Sequence, residues 1–166
     1  MKRIVLAAAV ASLLGACASM NSTPAASALM APRSGSAVSG TVTFSETTGG
    51  VRLEARLAGL TPGEHGFHIH EAGDCSAADA ASAKGHYNPT GRTHGHHAQG
   101  EHHSGDMPNL VANAQGDAHL TVDLKGVTLA EITGRSVIVH ADPDDYKSQP
   151  AGNAGKRIAC GVIVAR

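Results

Sequence analysis

Eleven histidines stand in a chain of 166 residues, and nine of them fall between His65 and His103. His68 and His70 are separated by one residue in a run that reads as a β-strand. Their side chains therefore leave the same face, about 6.6 Å apart along the chain. Two imidazoles on one side of a strand can share one metal ion. His86, His94, His103 and Asp106 follow in a stretch without strand character, and His140 returns in a second predicted strand. Imidazole suits zinc and copper(II), and a carboxylate beside three imidazoles suits tetrahedral zinc. These residues make seven ligands, one short of the eight that two four-coordinate ions need. One bridging imidazole with both ring nitrogens deprotonated would make up the difference, a form that only two flanking cations stabilise. His96, His97 and His102 read as solvated loop residues, although His102 competes with His103 for the same ligand position. His65 and His119 read as structural or exposed.

Short strands with turn residues between them must position this set. Val51 to Leu57 alternates apolar and charged residues, and Ala118, Leu120, Val122 and Leu124 alternate with His119, Thr121 and Asp123. Val38 to Phe44, Gly66 to His70, Ser136 to Ala141 and Ile158 to Ala165 are further candidates. Thr48-Gly49-Gly50, Thr61-Pro62-Gly63, Gln115-Gly116-Asp117 and Gly152-Asn153 supply turns. No long helical stripe occurs. The pattern predicts an all-β domain, an antiparallel sandwich or barrel. Glu71 to Asn109 and Asp142 to Lys156 are long irregular segments, and loops of that length in a compact domain are usually functional or disordered. The histidines in the first favour a loop ordered by metal.

Composition narrows the function classes. The chain is 42% hydrophobic, 16% charged and 2% aromatic, so Val, Ile, Leu, Ala and Thr must fill the core. A formal net charge of −1 excludes a strongly basic nucleic-acid surface. No apolar run reaches the roughly 18 residues of a membrane span. Met1-Lys2-Arg3 followed by apolar Ile4 to Leu14 reads as a secretory signal peptide over residues 1–16. Leu14-Gly15-Ala16-Cys17 resembles a bacterial lipobox, in which Cys17 becomes the lipidated first residue. Residues 17–34 are then expected as a lipidated N-terminus and flexible linker, and residues 35–166 as the folded domain. Removal of residues 1–16 leaves 11 basic against 14 acidic residues. If Cys17 carries lipid, Cys75 and Cys160 remain, and an oxidising compartment would let them form a disulfide. The expected location is the periplasm, with membrane contact only through the anchor.

Five stretches together carry a family resemblance. Gly63-Glu64-His65-Gly66-Phe67-His68-Ile69-His70 resembles the copper-ligand strand of Cu,Zn superoxide dismutases, and Gly85-His86-Tyr87-Asn88-Pro89 the segment with their bridging histidine. The spacing His86-x7-His94-x8-His103-x2-Asp106 is similar to that of their zinc ligands and favours His103 over His102. Gly134 to His140 resembles the strand with the last copper ligand. Gly152 to Ile163 resembles the C-terminal signature, which contains an active-site arginine and a disulfide cysteine. The resemblance runs from about Val38 to Val164.

The resemblance implies a Greek-key β-sandwich, an architecture under which this enzyme family is already known. It implies one copper per subunit on His68, His70, His86 and His140, and one zinc on His86, His94, His103 and Asp106. His86 would bridge the ions and pass a proton, and Arg157 would orient a small anion at the open copper position. Asp144, with Asp145 as its neighbouring alternative, would link a copper ligand to a zinc ligand, and Cys75 would pair with Cys160. Superoxide is the implied substrate, dismuted to oxygen and hydrogen peroxide by redox-cycling copper beside structural zinc. Lys84, Lys147 and Lys156 are candidates for local positive steering. The assembly implied is a monomer or a homodimer. A periplasmic copper-buffering or copper-delivery protein on the same fold is the alternative; such relatives often lack part of the copper site or the arginine, and this chain has both.

Overall fold

Alternation along the chain builds the longest strands. A computed structural model describes residues 23–166; the expected signal peptide and Cys17 lie outside the described residues. In β3 (Gly50–Ala58), Val51, Leu53, Ala55 and Leu57 turn inward while Arg52 and Arg56 face solvent. Its partner β7 (Ala118–Lys125) runs antiparallel in unbroken register from Gly50↔Lys125 to Leu57↔Ala118. On the outer face, the register partners Arg52 and Asp123 form a two-pronged ion pair, with Nε–Oδ1 at 2.8 Å and Nη2–Oδ2 at 2.9 Å. The other strands are β1 (Ala26–Pro32), β2 (Ser39–Thr47), β4 (Gly63–His65), β5 (Phe67–His70), β6 (Leu110–Ala112), β8 (Ser136–His140) and β9 (Arg157–Ala165).

The sheet order is β4-β6-β7-β3-β2-β1-β9-β8-β5, with every pairing antiparallel. Its two ends, β4 and β5, are consecutive in the chain and separated only by Gly66. One short segment therefore supplies both edges, and the sheet curls into a nearly closed barrel. Closure removes the exposed edges that would invite strand pairing with another molecule. At the seam, Gly66 N–H donates to the Asp142 carbonyl and its own carbonyl accepts from His140 N–H, both at 2.8 Å. A Cβ at Gly66 would stand 2.7 Å from the Ala154 Cβ, so no larger residue fits. The jumps from β3 to β4 and from β7 to β8 cross the barrel in Greek-key fashion.

Phe44, Leu53, Phe67, Ile69, Leu110, Ile132 and Ile163 are fully buried in the interior. Truncating one of them to Ala is expected to cost about 2–5 kcal/mol, depending on how far its neighbours relax. Leu129–Ile132 is the single α-turn (α1) among the described residues, and Thr128 and Glu131 fix its start with a reciprocal capping box.

Within the described part of the expected linker over 17–34, the structure shows a strand where a flexible chain was expected. Residues 26–32 form β1, which pairs with β2 on one side and β9 on the other. Ala26, Ala28 and Met30 are buried, and without them β2 and β9 would both be bare edges. The three-residue strands β4 and β6 are likewise additions, since Gly63 to His65 and Leu110 to Ala112 are too short to show a period. Within Glu71 to Asn109 the only regular element is a 3₁₀ turn at Ala81–Ala83. No helix among the described residues is long and apolar enough to cross a membrane.

Candidate metal centre

Two strands set the first ligands by their period. Phe67 and Ile69 of β5, and Val137 and Val139 of β8, point into the barrel core. His68, His70 and His140 therefore project from the outer side of the wall, beneath the two long loops. All three are buried, at 0%, 1% and 4% exposure. The loop from Glu71 to Asn109 folds back over them through Tyr87 N–H to the Ile69 carbonyl (2.8 Å) and Ile69 N–H to the Gly105 carbonyl (2.9 Å). That return brings His86, His94, His103 and Asp106 against the same wall.

The donor atoms gather into two groups, each within 4.8 Å: His68, His70, His86 and His140, and His86, His94, His103 and Asp106. His86 belongs to both. Its Nδ1 stands 2.8 Å from Asp106 Oδ1, while its Nε2 faces the other group without a partner. His68 and His86 stack with ring centroids 3.9 Å apart.

The hydrogen bonds around the groups assign the tautomers, because carbonyl and carboxylate oxygens only accept. His68 Nε2–H donates to Asp144 Oδ2 (2.8 Å), His70 Nδ1–H to the Lys84 carbonyl (2.9 Å), His140 Nδ1–H to the Gly155 carbonyl (3.2 Å) and His94 Nε2–H to Asp144 Oδ1 (2.9 Å). The opposite nitrogens, His68 Nδ1, His70 Nε2, His140 Nε2 and His94 Nδ1, are buried without a hydrogen-bond partner, as is His86 Nε2. Burying such atoms unanswered is costly. Nitrogens turned inward in this way are what two cations require; His94 Nδ1 alone has a carboxylate oxygen close by, Asp106 Oδ1 at 3.0 Å, to answer it without metal.

Distances in the second group fit zinc. From Asp106 Oδ1, the Nδ1 atoms of His86, His94 and His103 lie at 2.8, 3.0 and 3.4 Å, and His86 Nδ1 lies 3.4 Å from His103 Nδ1. Ligands about 2.0 Å from a tetrahedral centre stand about 3.3 Å apart. The other Asp106 oxygen, Oδ2, accepts from the backbone N–H of Gly95 and His103, which fixes the carboxylate.

Electrostatics follow from burial and pairing. Burial pushes the His68 and His140 imidazoles down to about 4 and about 3, so both are neutral ligands at neutral pH. His70 also lies well below its ordinary value, first through burial. Burial acts to raise Asp106 and Asp144, yet hydrogen bonds from His86 and His94, and from His68 and His94, hold both carboxyls below the usual range. Burial lowers His94, but Asp106 and Asp144 together outweigh it and raise the imidazole to about 9.

Asp144 joins one histidine of each group, whereas Asp145 faces Lys147, Ser148 and Asn153. Arg157 is half-buried beside the first group, its guanidinium held by the Ala80 (2.7 Å) and Lys84 (2.6 Å) carbonyls. Cys75 and Cys160 form a disulfide that ties this loop to β9. Lys84 is exposed and pairs with Glu71 at 3.4 Å, Lys156 shares a surface pocket with Arg157, and Lys147 is exposed. His119 is exposed against Glu54. His65 is buried, its ring nitrogens 2.9 Å from the His140 carbonyl and 2.8 Å from the Thr61 carbonyl. Sequence reasoning missed two supports. Asn109 binds the Asp144 backbone through both ends of its amide, and Gln149 does the same for His94. Nothing in the spacing marks either.

Comparison with known proteins agrees with this arrangement. Residues 38–163 match the family described as copper/zinc superoxide dismutase. A "Superoxide dismutase [Cu-Zn] 2" of Aquifex aeolicus is 46% identical over 127 residues, covering 71% of this chain and 74% of the relative. The Caulobacter vibrioides "Superoxide dismutase [Cu-Zn]" is 46% identical over 134 residues, covering 75% and 77%. That of Brucella abortus is 44% identical over 135 residues, covering 75% and 78%. A match over most of the barrel, together with two buried donor groups that share one imidazole, places this chain in the Cu,Zn superoxide dismutase family.

Proposed function

We propose that this protein dismutes superoxide, with copper held by His68, His70, His86 and His140 and zinc by His86, His94, His103 and Asp106. The observation that carries the assignment is the set of buried nitrogens of His68, His70, His86 and His140 left without partners while the other nitrogen of each ring is engaged. Bound copper supplies one-electron exchange in both directions, so that two superoxide anions and two protons become dioxygen and hydrogen peroxide.

The chain's own residues do the rest. His70 Nδ1–H and His140 Nδ1–H, anchored on the Lys84 and Gly155 carbonyls, keep the opposite nitrogens turned inward. Asp144 holds His68 and His94 by separate oxygens and so couples the two ligand groups. Asp106 holds His86 Nδ1 in place, leaving Nε2 as the atom that takes up and returns a proton. Arg157 offers a guanidinium fixed by two carbonyls, which favours a small anion beside His70. A surface depression of about 170 Å³, lined by His140, Pro150 and Gly155 among others, gives access to His140.

Export and anchoring are part of the same proposal: cleavage after Ala16, lipid on Cys17, and a periplasmic domain. The Cys75–Cys160 disulfide supports an oxidising compartment and leaves Cys17 as the odd thiol of three. Labelled fatty acid should enter the wild type and not a Cys17→Ser variant. Light scattering of the purified protein distinguishes the homodimer from the monomer.

The deciding experiment measures superoxide decay with the copper- and zinc-loaded protein, a metal-free sample and Arg157→Ala. Fast decay that needs copper and falls on the order of tenfold or more in the variant is expected. Tight copper binding without decay above background would overturn the enzyme and leave copper buffering or delivery.

A further inference from the structure

Tyr146 is a half-buried residue on which three segments of the site meet. It stands in the loop from Asp142 to Lys156 with φ 56°, a left-handed backbone that a bulky side chain rarely adopts and that persists only where its surroundings hold it. Its N–H donates to Asp144 Oδ1 at 2.7 Å, the same oxygen that accepts from His94 Nε2–H. Its phenol oxygen accepts from the Asn109 N–H, also at 2.7 Å. Its ring meets that of His96, on the histidine-rich loop, edge to face with centroids 4.7 Å apart.

These bonds close a circuit. Asn109 Nδ2–H donates to the Asp144 carbonyl and Asn109 Oδ1 accepts from the Asp144 N–H, both at 3.0 Å. Asn109 therefore holds the main chain of Asp144, while Tyr146 holds both Asn109 and the Asp144 carboxylate. Because Asn109 immediately precedes β6, the circuit fastens the Asp142 to Lys156 loop to the barrel wall. Gly152 closes on the same carboxylate so tightly that a Cβ there would collide with Asp144 Oδ1. Asp144 accepts from one imidazole of each donor group, so whatever fixes it fixes His68 and His94 together.

We propose that Tyr146 is a positioning residue for the metal centre: its hydroxyl, acting through Asn109, holds Asp144 where one carboxylate turns His68 and His94 toward their ions. The proposal rests on the metal assignment made above. Without the hydroxyl the Asn109 N–H loses its acceptor, and Asn109 no longer keeps its place against the Asp144 main chain. His68 is also held by strand β5, whereas His94 stands on a loop, so the loosening falls mainly on the zinc group.

Tyr146→Phe removes only the hydroxyl and keeps the ring and the backbone. Proton NMR of the full chain, with zinc and without, reads the ring N–H groups directly. Exchange of His94 Nε2–H with solvent should quicken about fivefold or more in the variant, and that of His68 Nε2–H less steeply. The His70 and His140 Nδ1–H groups, held by the Lys84 and Gly155 carbonyls, should not change. Zinc affinity, from competition with a chelator, should fall about fivefold or more. Asn109→Ala should lose at least as much, and the double variant no more than Asn109→Ala alone, because both residues act along one path. Unchanged exchange at His94, an equal rise at all four rings, wild-type zinc affinity or additive losses would each overturn the role. A wild-type chain that takes up no zinc would sink the metal assignment instead, and the exchange rates would still decide for or against Tyr146.

Discussion

Gln149 grips His94 by its backbone: the Gln149 Oε1 accepts from the His94 N–H and its Nε2 donates to the His94 carbonyl, both at 2.9 Å. A side-chain amide here replaces the strand partner that His94, on a loop, does not have. With Asp144 on the ring and Gln149 on the main chain, His94 is fixed at both ends. Gln149→Ala frees the backbone and leaves every copper ligand untouched. Zinc affinity is expected to fall about tenfold or more, the scale of losses when groups orienting a ligand are removed. Equilibrium competition with a chelator checks this, and unchanged zinc affinity would refute the role.

Lys84 adopts φ 62° and ψ −146°, a conformation almost reserved for glycine. Its carbonyl accepts from both His70 and Arg157, so the strained peptide lies under the site. Lys84→Gly retains that carbonyl and removes the strain. Urea unfolding of the metal-free protein should show a gain of about 1 kcal/mol, after allowance for the greater unfolded-state freedom of glycine. A loss of stability would mean that the lysine side chain contributes more than its backbone costs.

Acid should destabilise the metal-free protein well before its carboxylates titrate. His68 and His140 sit at about 4 and about 3 in the folded state against about 6.5 when unfolded, so protons bind the unfolded chain first. Their contribution is present above about pH 6.5 and is lost as pH falls toward 4 and then 3. His94, raised to about 9, acts oppositely: its contribution is complete below about 6.5 and is lost as pH rises through 9. Together the two acid-sensitive imidazoles are expected to remove several kcal/mol, at roughly 1.4 kcal/mol per pH unit per group. Urea midpoints measured from pH 10 to pH 4 should pass through a maximum near neutrality. A flat profile between pH 7 and 4 would contradict the burial of these rings without metal.

Replacing both Cys75 and Cys160 by Ser opens a link that spans 85 residues. A cost of about 4–5 kcal/mol is expected from unfolded-chain entropy. Ala80 and Ala83 pack against Cys160 and Ile138, and Arg33 Nε donates to the Cys75 carbonyl at 2.9 Å. The same loop carries the Ala80 and Lys84 carbonyls that hold Arg157. Superoxide decay should therefore slow along with the drop in stability. Full activity in the double variant would show that Arg157 is positioned without the disulfide.

The sequence was most legible where chemistry and period coincide. Val51 to Leu57 and Ala118 to Leu124 alternate cleanly because one face is core and the other is charged. Strand β1 hid because Leu29 faces solvent at 76% exposure while its inward residues are mostly alanine. Small residues inside and a leucine outside erase the contrast that marks a half-buried strand. The donor set was legible through residue type together with the family resemblance of its spacing, which favours His103 over His102; imidazole and carboxylate chemistry alone pointed to metal without dividing the ligands. Gln149 and Asn109 were not, because each acts across 55 or 35 positions through loops whose meeting has no local pattern.

Strand β1 also shortens the leash. From Cys17 to Ala26 there are nine steps, at most about 30 Å of extended chain, before the polypeptide is locked into the barrel. The far end of β1 lies about 20 Å further on, where Ser34 Oγ–H donates to the Arg157 carbonyl at 2.8 Å. Ala26 and the Arg157 backbone thus lie near opposite ends of β1. A lipid on Cys17 would therefore keep the Ala26 end of β1 within that nine-step reach of its attachment point, a far shorter tether than a linker running to residue 34 would make.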